Sequence, residues 1–492
     1  MLFLDRIMEE DVQSRCGVFL SHTLHDTYSG LKGLEHRGRE ATGIAGVRHN
    51  GRIDAIKFAG PPRKIGIEDL HYIFPGNDYH TFFGHVRYAT RGRKDRILQD
   101  AHPHVIGGRV LDRGSHVIIL DAEMAAVHNG QISPEYFGRI DRSQLKTGCD
   151  TEAALHLYRE IGARGILKEV PGSYVMIIAD GRSKDVILLR DKMGVKPAVL
   201  GWKDGKYVAS SEDIALREIG ANFVEAVRPG TITYFEPEGG HRVERVVDPV
   251  LRRCFFDWSY ISNVNSMFDG VSVDTMRTFL GESLADEFKS PIKDVDVVTF
   301  LPRCPEKAAA SLARKSGKPF EKMFYKLIGE RSFQGSDADE RAQSIESNLF
   351  LLPRINGQDS RDYLHGKTAL VVDDSTIRGN NSKRGVKLLL EGGAERVILM
   401  NYTPKMCGYG PDGKKRGCEL GVDMPIEPAK GDKYIARGSG RNRTDEEIGK
   451  RLGFETHFLS LDGMLRAFER AGISRESLCT FCVGGKDPLG IS

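Results

Sequence analysis

The sequence predicts a chain of two domains that differ in fold class: an α+β sandwich of packed antiparallel sheets, followed by an α/β domain with a parallel sheet. Two observations predict this division. Up to about residue 245, apolar runs such as 116-HVIIL-120 and 174-YVMIIA-179 follow one another with few helices between them, as stacked antiparallel sheets require. Beyond it, strands alternate with helix patterns, as in 369-ALVVDD-374 and 383-KRGVKLLLEGG-393, which indicates a parallel sheet covered by helices.

Length, charge and composition narrow the class of protein. The chain has 492 residues, enough for two or three domains, and its net charge of +3 gives no electrostatic argument for nucleic-acid or membrane partners. No apolar run approaches the roughly 18 residues of a membrane span, and residues 1–15 lack the apolar core of a secretory signal. We therefore expect a cytoplasmic protein, in which the eight cysteines are thiols, nucleophiles or metal ligands rather than disulfides.

Cys16 opens an ordered series of motifs in the first domain. On its own a Cys-Gly pair indicates a buried structural thiol at least as well as a nucleophile, and an Asn-Gly pair is also a hairpin turn. The motifs that follow Cys16 are 34-LEHRGREATGI-44, 84-GHVRYATRG-92, 128-HNG-130 and 148-GCDTE-152. Together they resemble the glutaminase domain of the class II amidotransferases, which are N-terminal nucleophile (Ntn) hydrolases with an αββα sandwich.

Amide hydrolysis needs a nucleophile, a base and donors for the oxyanion. The resemblance implies that Cys16 is the nucleophile and that its own α-amine, released by removal of residues 1–15, is the base. It also implies that Asn129 and the backbone N–H of Gly130 form the oxyanion hole.

The resemblance further implies a pocket for the two charged ends of glutamine. Arg87 would pair with the α-carboxylate, which a guanidinium can bind through two hydrogen bonds, and Asp150 would receive the α-ammonium. The residues expected to close the pocket are Arg37, Tyr88 and Thr90. Three neighbours are expected to be ordinary core residues without a catalytic role, namely His85, His128 and Cys149.

The run 369-ALVVDDSTIRGNNSKRG-385 is the main motif of the second domain. A buried strand ends in two acids, and a turn of small residues then leads into a helix, whose free N–H groups suit a phosphate. Carboxylates at a strand end suit ribose hydroxyls or their Mg²⁺, although two solvated acids in a turn are the simpler alternative. The run resembles the phosphoribosyl pyrophosphate (PRPP) motif of type I phosphoribosyltransferases. The implied PRPP-binding residues are Asp373, Asp374 (both also Mg²⁺ ligands), Ser375, Arg378, Gly379, Asn380, Asn381 and Ser382, with Lys326 and Arg331 as loop cations.

The two motif sets in one chain resemble the amidophosphoribosyltransferase family over nearly the whole sequence. The resemblance implies a propeptide at 1–15, a glutaminase domain at 16–245 and a phosphoribosyltransferase domain at 246–492 with a cysteine-containing tail. Ammonia from glutamine would displace pyrophosphate from PRPP, giving 5-phosphoribosylamine at the start of purine biosynthesis. A homo-oligomer, either tetramer or dimer, and inhibition by nucleotides are also implied.

Four stretches depart from the family pattern: 258-WSYISNVNS-266, 302-PRCPEKA-308, 326-KLIGERSFQ-334 and 380-NN-381, which stands where the family has two threonines. They leave two alternatives. One is a divergent paralogue that aminates a different phosphoribosyl or nucleotide substrate. The other is a sensor that binds PRPP or nucleotides without catalysis in the second domain.

Cys479 and Cys482 form a C-x-x-C motif, which by itself is compatible with redox activity, zinc binding or neither. Some amidophosphoribosyltransferases hold a [4Fe–4S] cluster, and Cys254, Cys407, Cys479 and Cys482 fall at the corresponding places. Four thiolates are the usual ligand set for such a cluster. Cys304 and Cys418 have no such counterpart, and zinc or free thiols remain the alternatives.

Overall fold

The fold was analysed in a computed structural model, which describes residues 16–490 apart from 89–95, 134–135, 137–138, 303, 327–347, 423, 429–433 and the side chain of residue 142. The propeptide 1–15, Thr90 and Arg331 therefore lie outside the described residues, as does Arg303 of the divergent 302–308 stretch. Within the described part of the chain, no helix is long and apolar enough to cross a membrane.

The first domain is built on one large antiparallel sheet of 13 strands. The strands are β1 (Gly17–Ser21), β2 (Ala41–Arg48), β3 (Ile53–Ala59), β4 (Tyr79–Arg87), β5 (His104–Asp112), β6 (His116–Ile132), β7 (Gly172–Asp180), β8 (Asp185–Arg190), β9 (Val199–Lys203), β10 (Lys206–Ser210), β11 (Asn222–Ala226), β12 (Thr231–Phe235) and β13 (His241–Arg245). The helices are α1 (Leu24–Gly33), α2 (Ile67–Ile73), α3 (Ile97–Asp100), α4 (Asp150–Glu169, interrupted at Gly162) and α5 (Asp213–Glu218). The strand order is β11-β9-β10-β1-β4-β2-β3-β6-β7-β8-β12-β13, and β5 pairs with β6.

This sheet folds over into two layers with a helix layer outside each. Because side chains alternate along a strand, each strand contributes to two cores. Val18 of β1 and Ile177 of β7 lie in the core between the two sheet layers. Phe19 packs outward with α1, α2 and α5, and Ile178 packs outward with α4. The predicted αββα sandwich is thereby confirmed.

The second domain contains a four-stranded parallel sheet in the order β17-β22-β23-β24. The strands of this domain are β14 (Arg253–Cys254), β15 (Met267–Phe268), β16 (Val271–Ser272), β17 (Val297–Phe300), β18 (Phe324–Lys326), β19 (Leu349–Leu351), β20 (Arg354–Ile355), β21 (Gln358–Asp359), β22 (Thr368–Asp373), β23 (Arg396–Asn401), β24 (Glu455–Phe458) and β25 (Leu478–Cys479). The helices are α6 (Val273–Glu287), α7 (Lys289–Lys293), α8 (Glu306–Ser316), α9 (Ser360–Leu364), α10 (Asn380–Glu391), α11 (Asp445–Leu452) and α12 (Leu461–Arg470), with a π-helical turn at Asp257–Ile261.

Both faces of the parallel sheet are buried, which is why its strands read as continuous apolar runs. Leu370 and Val372 of β22 pack with α6, α8 and α12 on one face. Ala369 and Val371 pack with α9 and α10 on the other. The predicted α/β class of the second domain is therefore also confirmed.

The domains meet where the large sheet ends at Arg245 and the chain crosses to β14. There Cys254 pairs in register with Cys479 of β25, which brings the start of the second domain beside the C-terminal tail. A connection of about 40 residues, 402–444, joins β23 to α11 and carries no named helix or strand among its described residues. Connections this long in compact domains usually have a functional role.

Candidate functional site

Cys16 lies immediately before β1, at the junction of the two domains. Its Sγ is 3.8 Å from the carbonyl oxygen of Tyr88, just beyond the end of β4. Burial raises the pKa of the thiol, and the positive charges of Arg87, Lys196 and Arg37 act in the opposite direction without cancelling that rise. Because the thiol is protonated at neutral pH, it needs a base before it can attack an amide.

Asn129 and Gly130 lie inside β6, so the hairpin-turn alternative for this pair is wrong. The Asn129 side chain is buried, and its Nδ2 has no hydrogen-bond partner among the described residues. Gly130 has a φ of +146°, and a Cβ there would lie 1.9 Å from the carbonyl oxygen of Ser173, so only glycine fits. An oxyanion needs hydrogen-bond donors that have no other partner. The buried Asn129 amide, next to a position where only glycine fits, meets that requirement.

Opposite charges flank this position. Arg87, buried at the end of β4, has Nη2 3.9 Å from Oδ2 of Asp100 at the end of α3. Asp150 begins α4, where its Oδ2 accepts a 3.0 Å hydrogen bond from the Ile132 N–H. Burial acts to raise the pKa of Asp150, but His128 and that N–H outweigh it and hold the pKa below its ordinary value. One fixed cation and one fixed anion are therefore available for a zwitterionic substrate.

Arg37 points toward the second domain rather than into an open pocket. Its Nε donates to the carbonyl oxygen of Cys16 at 2.8 Å, and its remaining nitrogens pair with Glu212, with Ser262 at 3.3 Å and with Asp257 at 3.3 Å. The buried carboxylate of Glu212 also accepts from Ser266 at 2.6 Å. This network of charges holds the nucleophile's backbone against the second domain, and a role for Arg37 in contacting glutamine remains a prediction.

Glu212→Gln is expected to lower the free energy of unfolding by about 3–5 kcal/mol, because it leaves the buried Arg37 without its main counter-charge. Burial acts to raise the pKa of Glu212, but His36 and Arg37 hold it below its ordinary value of 4.5. The stabilisation is therefore fully present above about pH 4.5 and is lost as the pH falls further. Denaturant unfolding at neutral and acidic pH measures both effects.

The matched control is Glu469→Gln, since Glu469 pairs with Arg475 on the exposed surface. We expect it to change stability little. Equal stability of Glu212→Gln and wild type at pH 7 would contradict the role assigned to the buried network.

In the second domain, the predicted PRPP-binding residues of the strand-to-helix turn come together around one cleft. The residues lining it are Asp373, Asp374, Ser375, Arg378, Gly379, Asn380, Asn381 and Ser382 from the predicted set, with Tyr260, Thr376 and Ile377 in addition. Asp373 ends β22 and Gly379 caps the N-terminus of α10 with a φ of +96°. A Cβ at Gly379 would lie 2.6 Å from Cδ2 of Leu452, so the turn requires glycine. The solvated-acid alternative does not describe this cleft, because both acids are buried.

Lys326 is exposed at the end of β18 and is not among the described residues that line this cleft. Tyr260, which motif analysis missed, lies in the π-helical turn and reaches the cleft through tertiary packing. Its only sequence signal was its place in the divergent 258–266 stretch.

The cysteines of the second domain surround a cavity of about 390 Å³ at the domain junction. Cys254, Cys479 and Cys482 line it, as the resemblance implied. Cys407 does not line it, although this buried residue donates its N–H to the Cys482 carbonyl oxygen at 2.7 Å. Cys418, which has no counterpart in the predicted ligand set, lines the cavity instead. Both residues lie in the long 402–444 connection. That position was the sequence feature that could have identified Cys418.

Lys196 is a second residue that motif analysis did not assign. It is buried, and its Nζ donates to the Gly421 carbonyl oxygen at 3.3 Å, which ties the 402–444 connection to the first domain. Ser173 makes a similar tie, donating to the Leu420 carbonyl oxygen at 2.7 Å. Burial raises the pKa of both the Cys16 and the Cys418 thiol, and the positive charge of Lys196 acts in the opposite direction. The sequence feature that could have identified Lys196 was its position as a lysine within the apolar run 193–200.

The comparisons with known proteins agree with this architecture. A glutamine amidotransferase domain family matches residues 110–218. The amidophosphoribosyltransferase of Methanocaldococcus jannaschii is 29% identical over 97% of this chain and 98% of its own length, and that of Archaeoglobus fulgidus is 28% identical over 94% of both. The solved structure of the glutamine PRPP amidotransferase of Bacillus subtilis, complexed with ADP and GMP, superposes with a TM-score of 0.78 at 26% identity, covering 96% of this chain and 97% of that one.

The Ntn-type sandwich, its partly buried Cys16 and the phosphoribosyltransferase-type second domain define the chain as an enzyme of the glutamine amidotransferase class. Relatives that extend over both domains narrow the class further. Over both domains the chain is similar to amidophosphoribosyltransferases.

Proposed function

We propose that this chain hydrolyses glutamine at Cys16 and transfers the ammonia to PRPP, giving 5-phosphoribosylamine, pyrophosphate and glutamate as the first committed step of purine biosynthesis. The observation that carries the proposal is that one chain holds two separate sites: the Cys16 site with its unpaired Asn129 amide, and the acidic cleft that ends β22. Relatives named for this activity match both domains, not one.

At the first site, Cys16 Sγ attacks the amide carbon of glutamine while the Cys16 α-amine, once residues 1–15 are removed, takes the thiol proton. Asn129 Nδ2 and the Gly130 N–H donate to the developing oxyanion. The C–N bond then breaks, ammonia leaves with that proton, and water hydrolyses the thioester to glutamate. Arg87 and Asp150 hold the α-carboxylate and the α-ammonium of glutamine during these steps.

At the second site, Asp373 and Asp374 hold the ribose hydroxyls, and the backbone N–H groups at the start of α10 receive the 5-phosphate. The two buried carboxylates fit a Mg²⁺ ion, since hard oxygen ligands are what Mg²⁺ prefers. Bound Mg²⁺ would neutralise charge on the pyrophosphate leaving group. Tyr260 also lines the cleft.

The decisive experiment measures pyrophosphate release from PRPP, using anaerobically prepared protein with Mg²⁺ and either ammonia or glutamine as the nitrogen donor. We expect release with both donors. Glutamine hydrolysis without pyrophosphate release from either donor would favour the alternatives, a different phosphorylated acceptor or a PRPP-binding sensor. The divergent 302–308 and 326–334 stretches are the reason to keep these alternatives.

We also propose that the cysteine-lined cavity holds a [4Fe–4S] cluster. An all-sulfur donor set fits such a cluster, and a cavity of about 390 Å³ bordered by Cys254, Cys479 and Cys482 offers room for one. Cys407 is the fourth ligand that the resemblance implies, and Cys418 is a fifth thiol on the same cavity wall. The cluster would cross-link the first strand of the second domain to its C-terminal tail.

Cys479→Ser is expected to remove bound iron and sulfide from anaerobically purified protein, because three thiolates hold such a cluster poorly. Elemental analysis and the visible absorption of the cluster measure the loss. Cys304→Ser is the matched control, since Cys304 lies outside the cavity lining and should leave the iron content unchanged. Zinc without iron in wild-type protein, together with loss of that zinc in Cys479→Ser, would instead support the zinc alternative.

Other features follow by analogy with the relatives. We propose that nucleotides bind as inhibitors, since the Bacillus subtilis structure holds ADP and GMP. A homo-oligomer in the cytoplasm, with the domain boundary between residues 245 and 246, is the arrangement we propose for the chain.

A further inference from the structure

Four histidines pack together in the first domain beside the glutamine pocket: His85, His102, His104 and His128. All four are buried. The rings of His85 and His102 have their centroids 4.0 Å apart, and those of His102 and His104 are 5.0 Å apart. Histidine rings in a protein core normally have hydrogen bonds at both nitrogens or contact water.

Each of these four rings presents one nitrogen without a hydrogen-bond partner among the described residues, and two of those nitrogens concern the proposed site. They are Nδ1 of His102 and Nε2 of His104, in side chains whose residues are 5% and 4% exposed. Nε2 of His104 is therefore available to a ligand.

A thiol completes the group. Cys149, the residue before α4, has Sγ 3.9 Å from His102 Nε2, and donor atoms from His102, His104 and Cys149 all lie within 4.8 Å of one another. Tetrahedral zinc with Zn–S of about 2.3 Å and Zn–N of about 2.0 Å needs donors about 3.6 Å apart. Small side-chain rotations therefore bring the three donors to bonding distance. We propose that His102, His104 and Cys149 bind a divalent transition-metal ion, with Zn²⁺ the ion that this donor set favours.

The charges next to the site balance one another, and metal binding must release a proton. Burial raises the pKa of the Cys149 thiol to about 12, so the ion must displace the thiol proton to solvent as the S–metal bond forms. Asp100 and Asp150 supply negative charge next to the ligands, against the positive charges of Lys57 and Arg87. Three protein ligands leave a fourth position for water.

One existing contact must change on binding. Thr151 Oγ1 lies 2.7 Å from His102 Nε2 and 3.2 Å from His128 Nδ1. When His102 coordinates through Nε2, the hydroxyl keeps its contact with His128. Alternatively, a flip of the His102 ring presents the unpartnered Nδ1 to the ion. His102 can supply one ligand atom in either orientation.

The position of the ion gives it a role in the proposed glutaminase, and this part of the inference rests on the proposed function. His102 and His104 follow Asp100, the partner of Arg87, whereas Cys149 precedes Asp150. The ion would thus tie together the two segments that hold the carboxylate and ammonium ends of glutamine. It acts as a positioning element for Arg87 and Asp150, not as a participant in bond breaking.

The test uses the full chain, prepared anaerobically and titrated with Zn²⁺ or Co²⁺ in the absence of substrates. We expect wild type to bind one more metal equivalent than Cys149→Ser or His104→Gln. The Co²⁺ form should show a thiolate-to-cobalt charge-transfer band that weakens in Cys149→Ser. Cys304→Ser is the matched control, since Cys304 is also a partly buried thiol, and it should bind as much metal as wild type.

A measurement on wild type alone covers the case in which a variant fails to fold. Zn²⁺ should slow alkylation of Cys149 at least about tenfold, a protection of about 1.4 kcal/mol, and leave alkylation of Cys304 unchanged. Equal metal content in all variants together with unprotected Cys149 would overturn the site.

The outcome is separable from that of the proposed function. If metal binds and glutamine is not hydrolysed, the site stands and the glutaminase proposal fails. If glutamine is hydrolysed and the variants bind as much metal as wild type, the glutaminase proposal stands and the metal site fails. When both proposals hold, His104→Gln should raise KM for glutamine several-fold with little change in kcat, a split that general destabilisation of the domain does not produce.

Discussion

Cys16→Ala is expected to reduce glutamine-dependent pyrophosphate release at least about a thousandfold, while release with ammonia stays close to the wild-type rate. The thiol is the sole nucleophile proposed for the first site, and no described contact joins its Sγ to the acidic cleft of the second domain. Paired assays with the two nitrogen donors on the same preparation measure the difference.

A second variant tests the same site by a smaller change. Asn129→Ala removes one oxyanion donor and should cost about 10²–10³-fold in glutamine hydrolysis, and Nδ2 has no hydrogen bond among the described residues to lose. Asn222→Ala, at an exposed edge-strand position, is the control. Loss of ammonia-dependent activity in Cys16→Ala would contradict two separable sites.

Asp374→Asn is expected to reduce pyrophosphate release from PRPP by roughly 100-fold or more with either nitrogen donor. The physical reason is that charge stabilisation by such a carboxylate and its Mg²⁺ is worth several kcal/mol in the transition state. Asp374 lies at the end of β22 with its Oδ2 accepting from Ser375 at 2.9 Å, a contact that asparagine can preserve. Steady-state assays over a range of Mg²⁺ concentrations measure the effect.

Glutamine hydrolysis in the absence of PRPP should survive this substitution, since Cys16 and its oxyanion donors lie in the other domain. Asp362→Asn is the control, because Asp362 is an exposed acid of the same domain outside the cleft. Unchanged pyrophosphate release in Asp374→Asn would refute the assignment of the cleft as the PRPP site.

The sequence predicted those features that local periodicity or contiguous motifs encode. The apolar run 174-YVMIIA-179 forms most of β7, and the cleft formed by 373–382 is a single uninterrupted turn. Both could therefore be predicted before any coordinates were considered.

Residues that tertiary contacts bring to a site were missed. Asp100, Lys196, Tyr260 and Cys418 each lie far along the chain from the groups they approach, and none stands in a recognisable spacing with them. Cys149 was noticed in the sequence, but it was predicted to be an ordinary buried residue. Its relation to His102 depends on how α4 docks against the start of β5.

The buried network around Arg37 restricts where such chains can be divided or recombined. Arg37 holds the Cys16 carbonyl with one nitrogen and Asp257 with another, and Asp257 begins the turn that carries Tyr260 to the cleft. A fragment that ends at residue 245 would lack Asp257 and Ser262 and would present buried charges to water. Splitting the gene at the domain boundary, or exchanging one domain for a homologous one, should therefore succeed only when residues 257–266 travel with their glutaminase partner.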